Sequence, residues 1–225
     1  LLEQGPAGDL KRRKANTRQR LVEAAVSVFA EKGLEGASVD DLVKAAGFTR
    51  GAFYSNFATK EELFGAAFER ATDELTRIVE ETKVVTEDRP HGASSPQADD
   101  GGLVISIFEA VRPVGRDWCL LHSEAITQSL RSLAAREMLS EQRARLRTTI
   151  AGFLDEAMDH STERMVISAE DLAQLLLSVF IDLLVREYVE QQEVTELAPV
   201  LILGTLHAFI QPCAVERSVA AFPTT

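Results

Sequence analysis

Residues 49–57, TRGAFYSNF, carry two kinds of side chain at helical spacing. Phe53 and Phe57 stand four apart and share one face, the face a helix buries. Thr49, Arg50, Gly51, Ala52, Ser55 and Asn56 offer small or hydrogen-bonding groups on the rest of the surface. This pattern suits a helix laid in the major groove of DNA, packed on its own domain on one side and meeting base edges on the other. Gly51 and Ala52 let the backbone come close. Arg50 brings a planar guanidinium that can donate two parallel hydrogen bonds to a guanine edge, a contact worth about 1–3 kcal/mol of discrimination. Tyr54, Asn56 and Lys60 suit phosphate oxygens.

Elsewhere the reactive residue types are sparser. Cys119 and His122, three apart in WCLLH, have the spacing of two metal ligands, but no convincing third and fourth ligand stands near them. A buried thiol and a pocket-lining histidine are therefore favoured, and no metal or cofactor is expected. Phe108, Trp118, His122, Met138 and Phe153 either line an apolar cavity with one polar handle or fill ordinary core. Glu109, Glu124 and Asp182 sit among apolar neighbours and read as solvated or capped carboxylates. The sequence carries no phosphate loop, nucleophile elbow, dinucleotide fingerprint or zinc spacing, so no catalytic residue is assigned and an enzyme is disfavoured.

Charge sharpens the reading. The 225 residues carry a formal net charge of −11, which as a uniform property would repel nucleic acid. Residues 1–60, however, hold 10 Lys/Arg against 7 Asp/Glu, a net of +3, while residues 61–225 hold 14 against 28, a net of −14. Lys11, Arg12, Arg13, Lys14, Arg18 and Arg20 crowd into ten residues, as either a nucleic-acid-binding arm or a solvated leader. With two cysteines and no apolar run near membrane-spanning length, a cytoplasmic protein without membrane contact is expected.

The elements that must position these groups are helices. Leu21, Ala24, Ala25, Val28 and Phe29 recur at helical spacing, and Gly33 stops that helix. Ser38 with Asp41 opens a short second helix that Gly47 closes; Asp40 lies in its first turn. Thr49 caps a third helix through about Phe57, and Thr59 with Glu62 opens a fourth that runs to about Val85. Residues 86–102 read as a loop. Five further helices are predicted at 103–112, 117–130, 133–158, 169–191 and 196–211, with Pro113 and Gly115 separating the first two. No segment alternates with period two, so the expected fold is all-α. The last two helices are apolar around nearly their whole circumference, which favours a seam against a second copy of the chain. Leu176, Phe180, Leu184, Leu203 and His207 are its candidate residues, and Gly204 would permit close approach.

Residues 14–64, above all GFTRGAFYSNFATKEELF, resemble the DNA-binding domain of the TetR (AcrR-like) family of transcriptional regulators. The turn glycine is Gly47, the aromatic-Tyr-x-x-Phe ending is Phe53-Tyr54-Ser55-Asn56-Phe57, and Lys60-Glu61-Glu62-Leu63 opens the fourth helix. The resemblance implies that Ser38 meets a phosphate, that Arg50, Gly51 and Ala52 face bases, and that Tyr54, Asn56 and Lys60 clamp the backbone. Asn56 departs from the histidine usual there, and Asp40 would repel a nearby phosphate unless it caps its helix. The implied organisation is a basic flexible arm (1–13), a helix-turn-helix DNA-binding domain (14–60) and a helical effector-binding and dimerisation domain (61–225). The expected function is a homodimeric repressor on a near-palindromic operator, released by a small-molecule effector. An effector-independent DNA-binding adaptor of the same fold and a helical-bundle enzyme are the alternatives.

Overall fold

The computed structural model describes the backbone of residues 6–87, 96–159 and 163–212, and the side chains of residues 12–82, 105–159 and 163–212. In chain order the elements are α1 (Pro6–Gly36), α2 (Val39–Ala46), α3 (Arg50–Tyr54), α4 (Lys60–Glu87), α5 (Pro96–Ser129), α6 (Leu133–Asp159), β1 (Glu163–Met165), α7 (Ala169–Tyr188), α8 (Leu197–Phe209) and β2 (Ile210–Pro212). The architecture is helical, as the periodicity requires. Among the described residues no helix is long and apolar enough to cross a membrane.

The N-terminal bundle forms because α1, α2 and α3 each present one apolar stripe. Leu21, Ala25 and Phe29 of α1 close over Leu42 of α2 and over Phe53 and Phe57, all of them buried. Phe29 meets Phe64 of α4 edge-to-face at 5.4 Å, which carries the packing into the long connector. Gly33 breaks α1 with φ 67° and ψ 173°, an angle pair a side chain resists, and a further turn runs on to Gly36. At the other end α1 begins at Pro6, so residues 6–13 are helix and the expected flexible arm is corrected there. Residues 1–5 of that arm lie outside the described residues.

Phe68 of α4 continues the same core through Trp118 and Leu121 of α5 to Leu139 of α6. A second, smaller cluster joins Phe108 of α5 to Leu172 and Leu183 of α7 and to Ala198 and Ile202 of α8. Arg112 on α5 forks onto Glu187 of α7 at 2.5 and 2.9 Å and reaches Thr195 in the following loop, tying three segments together.

Three expectations about this half are corrected. The break at Pro113 and Gly115 is absent: α5 runs through both. Pro113 lies on the exposed face, where water can serve the carbonyl its missing N–H leaves free. Gly115 is buried against α7, where an added Cβ would stand 3.0 Å from Leu184 Cδ2 and 3.3 Å from Phe180 Cζ. It is there for close helix approach. Second, α5 already starts at Pro96, so only part of 86–102 can be loop, and residues 88–95 lie outside the described residues. Third, β1 and β2 form a two-stranded antiparallel pair with Met165 opposite Ile210, too short for alternation to reveal.

Candidate nucleic-acid interface and effector cavity

The turn between α2 and α3 is fixed by its own backbone. Gly47 adopts φ 73° and ψ 34°, and its N–H and that of Phe48 return to the carbonyls of Lys44 and Val43 at 3.2 and 2.8 Å, a glycine-closed helix end. At the start of α2, Ser38 Oγ accepts from the Asp41 N–H at 3.1 Å while the Asp41 carboxylate accepts from the Ser38 N–H at 3.0 Å. Thr49 Oγ1 accepts from the Ala52 N–H, opening α3. Lys32 beside Asp41, with Ser38 adding to it, holds that carboxyl well below the ordinary range.

On this frame Phe53 and Phe57 point inward, while Thr49, Arg50, Gly51, Tyr54 and Ser55 are exposed on one surface with Ser38 and Ala52 beside them. Several expected contact groups already have partners inside the molecule. Asn56 Nδ2 donates to the Ala52 carbonyl at 2.8 Å, and Asn56 Oδ1 is buried without a hydrogen-bond partner. Lys60 Nζ donates to the carbonyls of Leu34 and Ala37 at 3.0 and 2.8 Å, satisfying carbonyls at the end of α1. Two of its three ammonium donors thus tie α4 to the end of α1. Arg18 lies 4.1 Å over the Phe57 ring and donates to the Asn56 carbonyl; Arg20 lies over Phe48 and donates to the Ala46 carbonyl. Two members of the basic run thus cap helix ends.

Asp40 does not cap α2, one of the two alternatives its place in the first turn left open. Asp41 does that, and Asp40 instead takes Arg50 side-on, accepting from Nε at 2.5 Å and from Nη2 at 2.6 Å. The pair lowers the pKa of Asp40 and raises that of Arg50, the shared hydrogen bonds being the main cause for each. Sequence reasoning missed it. The available signal was a carboxylate in the first turn of one helix and an arginine in the first turn of the next.

In the second half an apolar cavity of about 160 Å³ opens between α4, α5, α6, α7 and α8. Leu75, Phe108, Val111, Phe153 and Leu177 are among its walls, and the hydroxyl side chains there are Thr76 and Thr149. Phe108 and Phe153 are thus where the sequence suggested. Trp118, His122 and Met138 are not, because the α5 residues toward the N-terminal bundle turn to its core. Trp118 stacks on His122 with ring centres 4.8 Å apart and donates to Thr72 Oγ1 at 3.2 Å. His122 is 2% exposed and its Nε2 lies 3.0 Å from Arg143 Nη1. Arginine only donates, so Nε2 is the acceptor and the ring proton sits on Nδ1. Burial, with Arg143 adding to it, depresses the His122 pKa to about 4. Cys119 is half-buried, and burial pushes its thiol pKa up. Glu109 is exposed, Glu124 accepts from Gln128, and Asp182 pairs with Arg186.

Of the expected seam residues, four pack within the chain's own fold. Leu184 is buried against Gly115, Leu176 and Phe180 line the cavity, and Leu203 packs into the second core. Large apolar side chains facing outward here are Leu175, Val185, Tyr188, Val189 and Val200, with His207 exposed beside a Gly204 that has open space around it. Both helices looked apolar on every side because each serves a core on one flank and a cavity or an outer face on another.

Residues 21–67 match the profile of the family described as bacterial regulatory proteins, tetR family. Over 179 residues the chain is 28% identical to the HTH-type transcriptional repressor AcnR of Corynebacterium glutamicum, an overlap covering 76% of this chain and 92% of that protein. A shorter match, 37% identical over 65 residues, covers 29% of this chain and 33% of the HTH-type transcriptional repressor DhaR of a Mycobacterium species. Of solved structures, reduced NemR of Escherichia coli superposes with a TM-score of 0.66 at 16% identity, covering 89% of this chain and 100% of that one. SmeT, the repressor of the Stenotrophomonas maltophilia efflux pump SmeDEF, gives 0.58 at 20% identity, covering 92% and 97%. At such identities the two structures speak for the fold.

Proposed function

We propose that the chain, whose residues 21–67 match the tetR family of bacterial regulatory proteins, is a DNA-binding transcriptional regulator of that family, a homodimeric repressor released from its operator by a small apolar molecule. The observation that carries this reading is one helix with two attachments. At its first residue α4 holds the DNA-binding bundle, through Lys60 and the carbonyls of Leu34 and Ala37; at Leu75, Thr76 and Val79 it walls the cavity. About 22 Å of rigid helix separates the two ends. A ligand that fits the cavity in only one setting of α4 shifts the recognition surface by its affinity ratio for the two settings, typically about 1–3 kcal/mol.

The lining states the ligand's chemistry. With hydroxyls at Thr76 and Thr149 and otherwise aliphatic and aromatic walls, the cavity favours an uncharged molecule carrying few hydrogen-bonding groups, because a charge there would lose its hydration without a counter-ion. A second copy of the chain would cover Leu175, Val185, Val189 and Val200, and two recognition helices about 34–36 Å apart would read a near-palindromic site. The protein would act in the cytoplasm, where its DNA is. The repressor names of AcnR and DhaR support the sign of regulation.

The test has two stages. Fragmented genomic DNA is incubated with the protein at two salt concentrations and the retained fragments are sequenced; a shared inverted repeat is expected. The retained duplex is then titrated with uncharged and charged small molecules, and only uncharged apolar ones should dissociate it. Retention without a common sequence, or release by charged compounds alone, would overturn the reading.

A further inference from the structure

The side-on contact between Asp40 and Arg50 leaves one edge of the guanidinium unspent. Of five N–H donors in a rigid plane, Asp40 takes those of Nε and one of Nη2, at 2.5 and 2.6 Å. Both donors on Nη1 and the second on Nη2 stay available to an incoming partner. Those two nitrogens form the end of the fork, the edge that donates in parallel to O6 and N7 of guanine. The side chains are 63% and 64% exposed, on the surface that also exposes Gly51 and Tyr54, so solvent and an incoming partner can reach the pair.

Neither stability nor capping accounts for Asp40. An exposed ion pair adds little to folding, and the start of α2 is already closed by Ser38 and Asp41. Against a polyanion, a carboxylate at this surface weakens association with every sequence alike. Its compensating effect must lie in selection among sequences.

We propose that Asp40 is the positioning residue for base recognition: it clamps Arg50 side-on, so that the free end of the guanidinium addresses a guanine in the major groove. The proposal rests on the reading of Arg50 as a base-contacting residue. A long side chain that would otherwise sample many rotamers arrives oriented, and a fork held at that angle donates two bonds to guanine where an unclamped one donates to any nearby acceptor, phosphates included. Asp40 thus lowers affinity for DNA in general and sharpens the choice at one base pair.

The experiment uses the full chain, a duplex library with randomised half-sites and sequencing of the retained fraction, for wild type, Arg50→Ala, Asp40→Ala and Asp40→Asn. Anisotropy titrations on a random duplex and melting temperatures run alongside. Wild type is expected to select guanine at one position of each half-site, and Arg50→Ala to lower that preference roughly tenfold or more. Asp40→Ala should lower the preference several-fold at the same position, with random-duplex binding tighter and the melting temperature unmoved; Asp40→Asn should fall between. If Arg50→Ala loses the preference while Asp40→Ala keeps it, with or without tighter binding overall, the clamp is overturned and Arg50 as reader stands. If Arg50→Ala changes no base preference, the reading of Arg50 falls and the proposal with it. A wild-type protein that selects no duplex would instead refute the proposed function.

Discussion

The surface carried by α2 and α3 and the cavity between α4 and α8 solve recognition in opposite ways. At the surface the long polar side chains are anchored within the molecule: Arg50 on Asp40, Asn56 through its Nδ2 on Ala52, and Lys60 on two carbonyls. In the cavity the polar groups are almost absent and the walls are apolar. A surface meant to exchange water for phosphates and bases must stay ordered without them, so its donors are held by the protein. A cavity meant for an apolar guest needs only space, because shape and burial supply the affinity. The surface is therefore tightly packed underneath, and the cavity is underpacked by design of its walls.

The largest test of that contrast is a matched pair of truncations. Phe53→Ala removes a fully buried ring beneath the recognition surface and should cost about 3–5 kcal/mol in denaturant unfolding. Phe153→Ala only widens a space that already exists and should cost clearly less. Equal losses would mean that the cavity region is as closely packed as the bundle.

The next effect is set by His122, at the border between the two regions. Its folded pKa of about 4 lies below the ordinary 6.5 because the ring is buried with Trp118 and Phe68 and accepts from Arg143. The unfolded chain therefore takes up a proton that the folded chain refuses between these values. The stability this group contributes is complete above pH 6.5 and falls as pH drops toward 4, by about 3 kcal/mol in all. His122→Gln should flatten that limb of a stability-against-pH curve, whereas an unchanged slope would remove His122 as its source.

The smallest effects separate holding from touching. Lys60→Ala should lower the melting temperature, through about 1–2 kcal/mol of lost bonds to Leu34 and Ala37, as well as weakening DNA binding. Ser38→Ala should cost about 1 kcal/mol as a lost cap. A Lys60→Ala protein of unchanged stability but weaker, less salt-sensitive DNA binding would make this lysine a phosphate contact after all.

How far the sequence could be read follows the same division. Ser38, Gly47 and Thr49 act on backbone groups within five residues of themselves, so their caps and the turn they enclose were legible in the order of residue types. Thr59 was also legible, although Glu62 reaches back to the Ala58 N–H rather than to its own cap residue. Pro113 and Gly115 misled because their local preference for a break was outweighed by what packs around them: solvent on one flank and Leu184 on the other. Trp118 and Phe108 stand on one helix ten residues apart, yet one joins the core of the N-terminal bundle and the other a second core that borders the cavity, a distinction that depends on which helices cross at each level.

By itself the sequence determined the order of the helices in the N-terminal bundle, though not that α3 ends at Tyr54 instead of near Phe57, together with the turn at Gly47, the outward set around Arg50 and the inward pair Phe53 and Phe57, because periodicity and capping act over one or two turns of chain. Only the tertiary structure decided that Asp40 holds Arg50, that Lys60 ties α4 to the end of α1, and which faces of α7 and α8 turn toward the cavity or outward. Those outcomes depend on side chains brought together from separate helices, where the relative placement of two elements, and not the propensity of either, sets the energy.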